Sequence, residues 1–304
     1  MSIVVSGVTK YYGEQKALDN VSFQVKTGEI VAFLGPNGAG KSTMMKIITG
    51  YIPASSGSVI VNGIETSADN LEIRKKIGYL PENNPLYPEM YVREYLKFAA
   101  SLYKTGKSAG KKIDHIIEVT GLAPEQKKKI GSLSKGFRQR VGLAQALIHD
   151  PDVLILDEAT TGLDPNQVVE IRNLIRETGR EKTVMLSTHI MQEAEAVCDR
   201  IIIIDKGVIV ADEKKDDIYS KIRVPRQIIR VEFDRDPGEP ALLTIPNVII
   251  TNHIKKNQWL IEAEGKDDIR PAVFSFAVRN NLTVLSLQKE ESSLEEVFRH
   301  LTSG

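Results

Sequence analysis

Two short stretches of this sequence combine residue types whose spacing supports chemistry. The first is Gly35-Pro36-Asn37-Gly38-Ala39-Gly40-Lys41-Ser42-Thr43, which fits the pattern G-x-x-x-x-G-K-[ST]. Glycines in such a loop let the backbone bend until successive N–H groups point inward at phosphate oxygens. Lys41 adds a point charge for the outer phosphates of a nucleoside triphosphate, and Ser42 offers a hydroxyl to Mg2+. The second is Val153-Leu154-Ile155-Leu156-Asp157-Glu158, four apolar residues running into two carboxylates. Alternation along a strand sends neighbouring side chains in different directions, so the two acids take different roles. Asp157 would hold Mg2+, directly or through water. Glu158 would face the γ-phosphate and polarise the attacking water.

Both stretches need elements that bring them to one place. Ile30-Val31-Ala32-Phe33-Leu34 reads as a buried strand entering the glycine loop, and Thr43-Met44-Met45-Lys46-Ile47-Ile48 as a helix leaving it. That helix would turn its N-terminus, the positive end of its dipole, toward the phosphates. Residues 153–156, 184–187 and 201–204 are short apolar runs separated by helical segments, the rhythm of a parallel sheet buried on both faces. Residues 2–5, 21–25 and 58–61 read as short strands with turns between them, with Tyr11-Tyr12-Gly13 between the first two. From about 85 to 129 the pattern turns helical, with apolar residues at helical spacing over 92–103 and 111–119. The pattern changes again near 219–227. Strands over 228–233, 259–263 and 282–288, a helix over 267–279 and a closing amphipathic helix over 293–301 then make a small α+β unit. Its last helix carries the stripe Leu294, Val297, Phe298 and Leu301. The division expected is residues 1–220 for nucleotide binding and 226–304 for an accessory or regulatory domain without a nucleotide site.

Composition narrows the function. The 304 residues include 40 Lys+Arg against 40 Asp+Glu, so net charge gives no sign of a nucleic-acid partner. The one cysteine, Cys198, excludes an intrachain disulfide and a cysteine-based zinc cluster, which fits a reducing cytoplasm. It reads as a small buried helix residue. The N-terminus lacks the basic start and apolar stretch of a signal peptide. No apolar run approaches the roughly 18 residues of a membrane span, so any membrane role needs a partner.

Leu133-Ser134-Lys135-Gly136-Phe137-Arg138-Gln139-Arg140 opens a helix running through Ile148, shortly before the strand that ends in Asp157. With this octet the chain resembles the ATP-binding subunits of ABC transporters, whose signature is L-S-G-G-Q. Leu133, Ser134 and Gly136 match the signature, while Lys135 and Phe137 depart from it. The resemblance covers roughly residues 2–217. It implies a P-loop NTPase fold of the ABC ATPase type, α/β with an antiparallel β subdomain and a helical insertion, followed by the small C-terminal α+β domain. It further implies ATP hydrolysis with Mg2+ in a head-to-tail dimer that closes on two ATP molecules and drives separate transmembrane permease subunits. The chain itself would then lie on the inner face of the cell membrane through the permease.

Site roles follow from the same resemblance. Ser134, Gly136 and their helix N-terminus would bind the γ-phosphate held by the partner subunit. Tyr12 looks like the aromatic that stacks on adenine, with Tyr11 beside it. Asp164, in Gly162-Leu163-Asp164, resembles the loop that crosses the dimer interface. His189, in Ser187-Thr188-His189, looks like the switch histidine at the γ-phosphate. His115, His149, His253 and His300 lack such context and read as surface or packing residues. Where the family has Gln this chain has Glu82, in Ile77-Gly78-Tyr79-Leu80-Pro81-Glu82. A carboxylate there suits Mg2+ and adds negative charge near the triphosphate. Leu86 and Tyr87, between prolines, read as an exposed apolar knuckle for a membrane subunit. The tail is similar to the C-terminal extension of exporter-type subunits, and Glu82, Lys135 and Phe137 point the same way. Among such subunits the chain looks like the gliding-motility-associated ATP-binding subunit of bacteria, although nothing in the motifs themselves encodes gliding. The rivals are an ABC-type ATPase acting on ribosomes or DNA, and a nucleotide switch with negligible turnover. The first usually has two ATPase domains or long coiled-coil insertions, which this chain lacks. Glu158 and His189 argue against the second.

Overall fold

The computed structural model describes residues 1–67, 70–103, 109–221, 226–265, 267–290 and 298. The chain divides into two compact units, Met1–Lys215 and Asp216–Gly304.

The first unit opens with a hairpin of β1 (Ile3–Tyr12) and β2 (Gln15–Val25), in which Tyr12 pairs with Gln15. Next come β3 (Ile30–Leu34), α1 (Lys41–Ile48), β4 (Ser56–Val61) and β5 (Ile64–Glu65). β4 returns to pair antiparallel with β1, giving a sheet of order β2-β1-β4-β5. Its inward residues Ile3, Val5, Phe23, Val25, Val59 and Val61 share one core with Met44, Met45 and Ile48 of α1 and with Val31 and Phe33 of β3. Helix α1 is thus gripped by apolar contacts to the β subdomain and to the strand before it, and the glycine loop at its N-terminus has a rigid base.

Asn70 then caps α2 (Leu71–Lys76) by accepting from the Glu72 N–H at 3.1 Å, and β6 (Ile77–Leu80) follows. The helical insertion holds α3 (Val92–Leu102), α4 (Ala109–Val119) and α5 (Lys135–Leu147). Val92, Leu96, Ile113, Ile117, Val141 and Ala144 make its core, at the helical spacing read from the sequence. Leu86 is half-buried against that core, so the expected knuckle is reduced to Tyr87, whose ring lies edge-on to Tyr95 and Phe98 at 5.9 and 5.8 Å. His149, just past α5, stacks on Tyr103 with ring centroids 3.9 Å apart and donates from Nε2 to the Ile77 carbonyl at 3.2 Å. One ring therefore ties the insertion to the sheet.

The chain returns through β7 (Val153–Asp157), α6 (Pro165–Gly179), β8 (Thr183–Thr188), α7 (Met191–Val197), β9 (Arg200–Asp205) and β10 (Val208–Lys214). The second sheet has the order β10-β9-β3-β8-β7-β6, parallel from β9 to β6, with β10 antiparallel at the edge. Every residue of β3, β7 and β8 is buried, which is why they read as unbroken apolar runs. In register, Leu34 pairs with Thr188 and Asp157 with Ser187, so the carboxyl ends of these three strands meet. Open α/β sheets bind ligands beyond that edge. Among the described residues no helix is long and apolar enough to cross a membrane.

The second unit comprises β11 (Arg226–Phe233), α8 (Glu239–Leu242), β12 (Val248–Lys255), β13 (Gln258–Glu264), α9 (Arg270–Arg279) and β14 (Val284–Glu290). Its antiparallel sheet has the order β12-β13-β11-β14. Ile229, Val231 and Phe233 pack with Ile261 and with Val273 and Phe276 of α9 in a core of their own. Trp259 belongs to this core, and its Nε1–H donates to Asp236 Oδ1 at 3.1 Å. Helix α9 starts at Arg270 rather than at 267, with a proline in its first turn. Apart from Phe298, the expected helix over 293–301 lies outside the described residues.

Candidate active site

The glycine loop leaves β3 with the Gly35 N–H bonded to the Thr188 carbonyl at 3.3 Å. Gly40 has φ +106°, and a Cβ there would stand 2.6 Å from the Ala17 carbonyl oxygen. Only glycine meets both conditions. Pro36 is half-buried, Asn37 and Gly38 form the exposed rim, and Ala39 is buried beneath them. Thr43 is half-buried in the first turn of α1. Lys41 is only 5% exposed. Its ammonium donates to the carbonyls of Gly35 at 2.9 Å and Pro36 at 3.1 Å, and lies 3.7 Å from Glu158 Oε1. Burial lowers the Lys41 pKa, while the charges of Glu158, Asp157 and Glu82 oppose that shift.

Asp157 ends β7 almost wholly buried, and its Oδ1 accepts from Ser42 Oγ at 3.1 Å and from Ser187 Oγ. Ser42, Asp157 and Ser187 form a hard oxygen set of one carboxylate and two hydroxyls, which fits Mg2+. Among the described residues no group of three or more His, Cys, Asp or Glu could hold a metal by itself. That too suits Mg2+, which takes one or two protein carboxylates and completes its shell with phosphates and water. Ser187 was no candidate from the sequence; its register partner Asp157 is the signal that picks it out.

Glu158 turns out of the strand in the left-handed region, φ +51°, with its N–H on the Ser187 carbonyl at 3.1 Å. Its Oε1 accepts from His189 Nδ1 at 3.1 Å and its Oε2 from Thr161 Oγ1 at 3.0 Å. Burial alone would raise this carboxyl. The His189 and Thr161 hydrogen bonds and the Lys41 charge outweigh it and hold the pKa below the usual carboxylate range. An ionised carboxylate beside a buried ammonium is thereby held at the mouth of the loop.

Glu82 is exposed and lines the same cleft as Ser42 and Asp157, a space of about 480 Å³. The remaining candidates stand elsewhere. Ser134 caps α5, its Oγ accepting from the Phe137 N–H at 3.3 Å, and Asp164 caps α6, accepting from the Gln167 N–H at 3.0 Å. These two helix starts pack on each other. A Cβ on Gly136 would meet the Gln167 side chain, and one on Gly162 would meet Lys135 Nζ. Phe137 turns inward against the core of the insertion. Among the described residues, no hydrogen bond or ion pair joins this second cluster to the glycine loop. Tyr11 and Tyr12 are each about half exposed at the hairpin tip, with Lys16 and Lys10 within 6 Å of their respective rings.

Comparison with known proteins agrees with this geometry. Residues 18–161 match the family model described as ABC transporter, and residues 221–302 the model described as ATP-binding protein DrrA1-3-like, C-terminal domain. The chain is 34% identical to the linearmycin resistance ATP-binding protein LnrL of Bacillus subtilis (strain 168), over 97% of this chain and 96% of that one. It is 32% identical to the bacitracin transport ATP-binding protein BcrA of Bacillus licheniformis, over 99% and 97% of the two chains. With the Nod factor export ATP-binding protein I of Rhizobium meliloti (strain 1021) it shares 33% identity, over 99% and 88%. Among solved structures it resembles an ATP-binding cassette described as a dimer in a post-hydrolysis state bound to ADP and Pi. That likeness has a TM-score of 0.65 and 30% identity, over 70% of this chain and 98% of the other.

Proposed function

Because the chain belongs to the ATP-binding subunits of ABC transporters, an ATP-hydrolysing family, we propose that it powers an exporter by closing head to tail with a second copy around two ATP molecules. The observation that carries the catalytic part is the meeting of Lys41, Ser42, Asp157, Glu158 and His189 at the carboxyl ends of three adjacent strands. Loop amides and Lys41 hold the phosphates, and Tyr12 stacks on adenine. Ser42 and Asp157 hold Mg2+, with Glu82 in contact directly or through water. Bound there, Mg2+ neutralises charge on the β- and γ-phosphates. Glu158 polarises the attacking water, and His189 is kept on Glu158 by the 3.1 Å bond. Ser134 and Gly136 present the start of α5 to the γ-phosphate of the partner's ATP, and Asp164 lies where the two copies cross. The separation of the two clusters in one chain supports this reading, since a second cassette, another copy or a homologous ATPase subunit, would bring them together.

Export is supported by the names of the relatives, which include linearmycin resistance, bacitracin transport and Nod factor export. The subunit would sit on the inner face of the membrane through a separate permease. Tyr87, Tyr91, Phe98 and Leu102, all more than 40% exposed on the insertion, offer it an apolar surface. The second unit is an accessory domain that supports pairing or regulates turnover. A link to gliding motility rests on the resemblance of the chain as a whole, since no motif encodes it. It is tested by deleting the gene in the native host and scoring surface motility. The catalytic reading is tested by Glu158→Gln, which keeps ATP binding, loses about a hundredfold or more of phosphate release and accumulates ATP-dependent dimers in light scattering. A wild-type rate in that variant would sink the assignment of Glu158. Co-purification from native membranes identifies the permease.

A further inference from the structure

We propose that Glu193 is a positioning residue of the ATPase site, its buried carboxylate fixing the two backbone segments that carry Glu158 and His189. The inference rests on the catalytic reading of that pair. Glu193 lies on α7 and is only 5% exposed. A carboxylate so deeply buried needs partners, and it has one on each oxygen. Oε1 accepts from Thr160 Oγ1, and Oε2 accepts from Thr188 Oγ1 at 2.7 Å. Thr160 stands two residues after Glu158, and Thr188 immediately precedes His189. The Thr188 hydroxyl also accepts from the Ile190 N–H at 3.0 Å, so the turn holding His189 is fixed from both sides.

Covalent geometry sets the spacing of the two carboxylate oxygens, so the clamp also sets the spacing of the two segments. The 3.1 Å bond from His189 to Glu158 spans the same gap. A carboxylate accepts from both hydroxyls, whereas glutamine offers one acceptor and one donor group, so one of the two hydroxyls must turn from donating to accepting and the clamp geometry changes. An acid in the first turn of a short helix would favour the helix dipole from the surface equally well. That role explains neither the burial nor the paired threonines. Arg172 lines a small cavity with Glu193, Thr160 and Ser187.

The test uses the full chain, with phosphate release measured against ATP concentration. Glu193→Gln lowers kcat by roughly ten- to hundredfold while KM for ATP stays within about twofold, since misplaced catalytic groups cost turnover and the phosphate loop is untouched. Thr188→Val behaves likewise, and Thr188→Ser, which keeps the hydroxyl, stays within about twofold of wild type. In a Glu158→Gln background, Glu193→Gln costs clearly less than in wild type, because part of its effect runs through Glu158. A kcat for Glu193→Gln near wild type overturns the inference, and so does a loss of the same size in the Glu158→Gln background. If Glu193→Gln fails to fold, the threonine pair decides, and a Thr188→Val rate equal to wild type overturns it. A wild-type rate in Glu158→Gln alone overturns the catalytic reading and this inference with it. Loss in Glu158→Gln beside a wild-type rate in Glu193→Gln overturns the inference alone.

Discussion

Acid should weaken this fold through one ring, His149. Its Nε2–H bonds to the Ile77 carbonyl, its face stacks on Tyr103, and its Nδ1 is buried with no hydrogen-bond partner among the described residues. A proton on Nδ1 would have no acceptor. Burial, the largest influence, pushes the pKa down to about 4 from the ordinary 6.5. The folded pKa lies below the unfolded one, so between those values the unfolded chain binds more protons. The stability is therefore fully present above about pH 6.5 and is lost as pH falls toward 4. Taking those two pKa values, lowering the pH from 7 to 5 removes about 2 kcal/mol. His149→Phe keeps a stacking ring, does not titrate, and loses the Ile77 bond equally at both pH values. Urea unfolding followed by far-UV circular dichroism, at both pH values, should show wild type losing about 2 kcal/mol more than the variant. Equal losses in the two proteins would refute the reasoning, since every other titrating group is common to both.

Three further outcomes are expected. Gly40→Ala places a Cβ 2.6 Å from the Ala17 carbonyl at φ +106°. It should weaken ATP binding by about tenfold or more while circular dichroism stays native, through about 1–3 kcal/mol of local strain. Glu82→Gln should shift the Mg2+ concentration for half-maximal turnover with no change in Tm, and an unchanged titration would leave Glu82 an ordinary loop residue. Ending the chain after Lys221 should preserve ATP binding and weaken ATP-dependent pairing in light scattering. Loss of ATP binding by a folded truncated chain would place the tail in the active site.

Elements whose burial is uniform were the legible ones. β3, β7, β8 and β9 are apolar because both faces are covered, and β3 and β7 run into the glycine loop and the paired carboxylates. β6 is four residues long and contains Gly78, which reads as a breaker. The glycine is there because a Cβ would stand 2.2 Å from the Ala146 carbonyl, a contact that exists only in three dimensions. β10 and β12 are sheet edges with mixed polar faces and show no clean alternation. Cys198 is buried as expected, but as the residue just past α7, and its thiol pKa is raised by that burial. Glu193 was invisible in Gln192-Glu193-Ala194-Glu195, which reads as a solvated helix face. Only the fold sets its carboxylate between Thr188, the last residue of β8, and Thr160, in the turn that follows β7.

Trp259 is the only tryptophan in the chain and lies wholly within the second unit. The protein therefore carries a native optical label on the second unit, while Tyr51, Tyr79 and Tyr103 line the cleft around Ser42 and Asp157. Fluorescence excited at the red edge of the indole band observes the C-terminal core alone. Adding ATP leaves that emission still unless the occupied site perturbs the other unit, so a change in Trp259 emission would be a direct signal of communication between them.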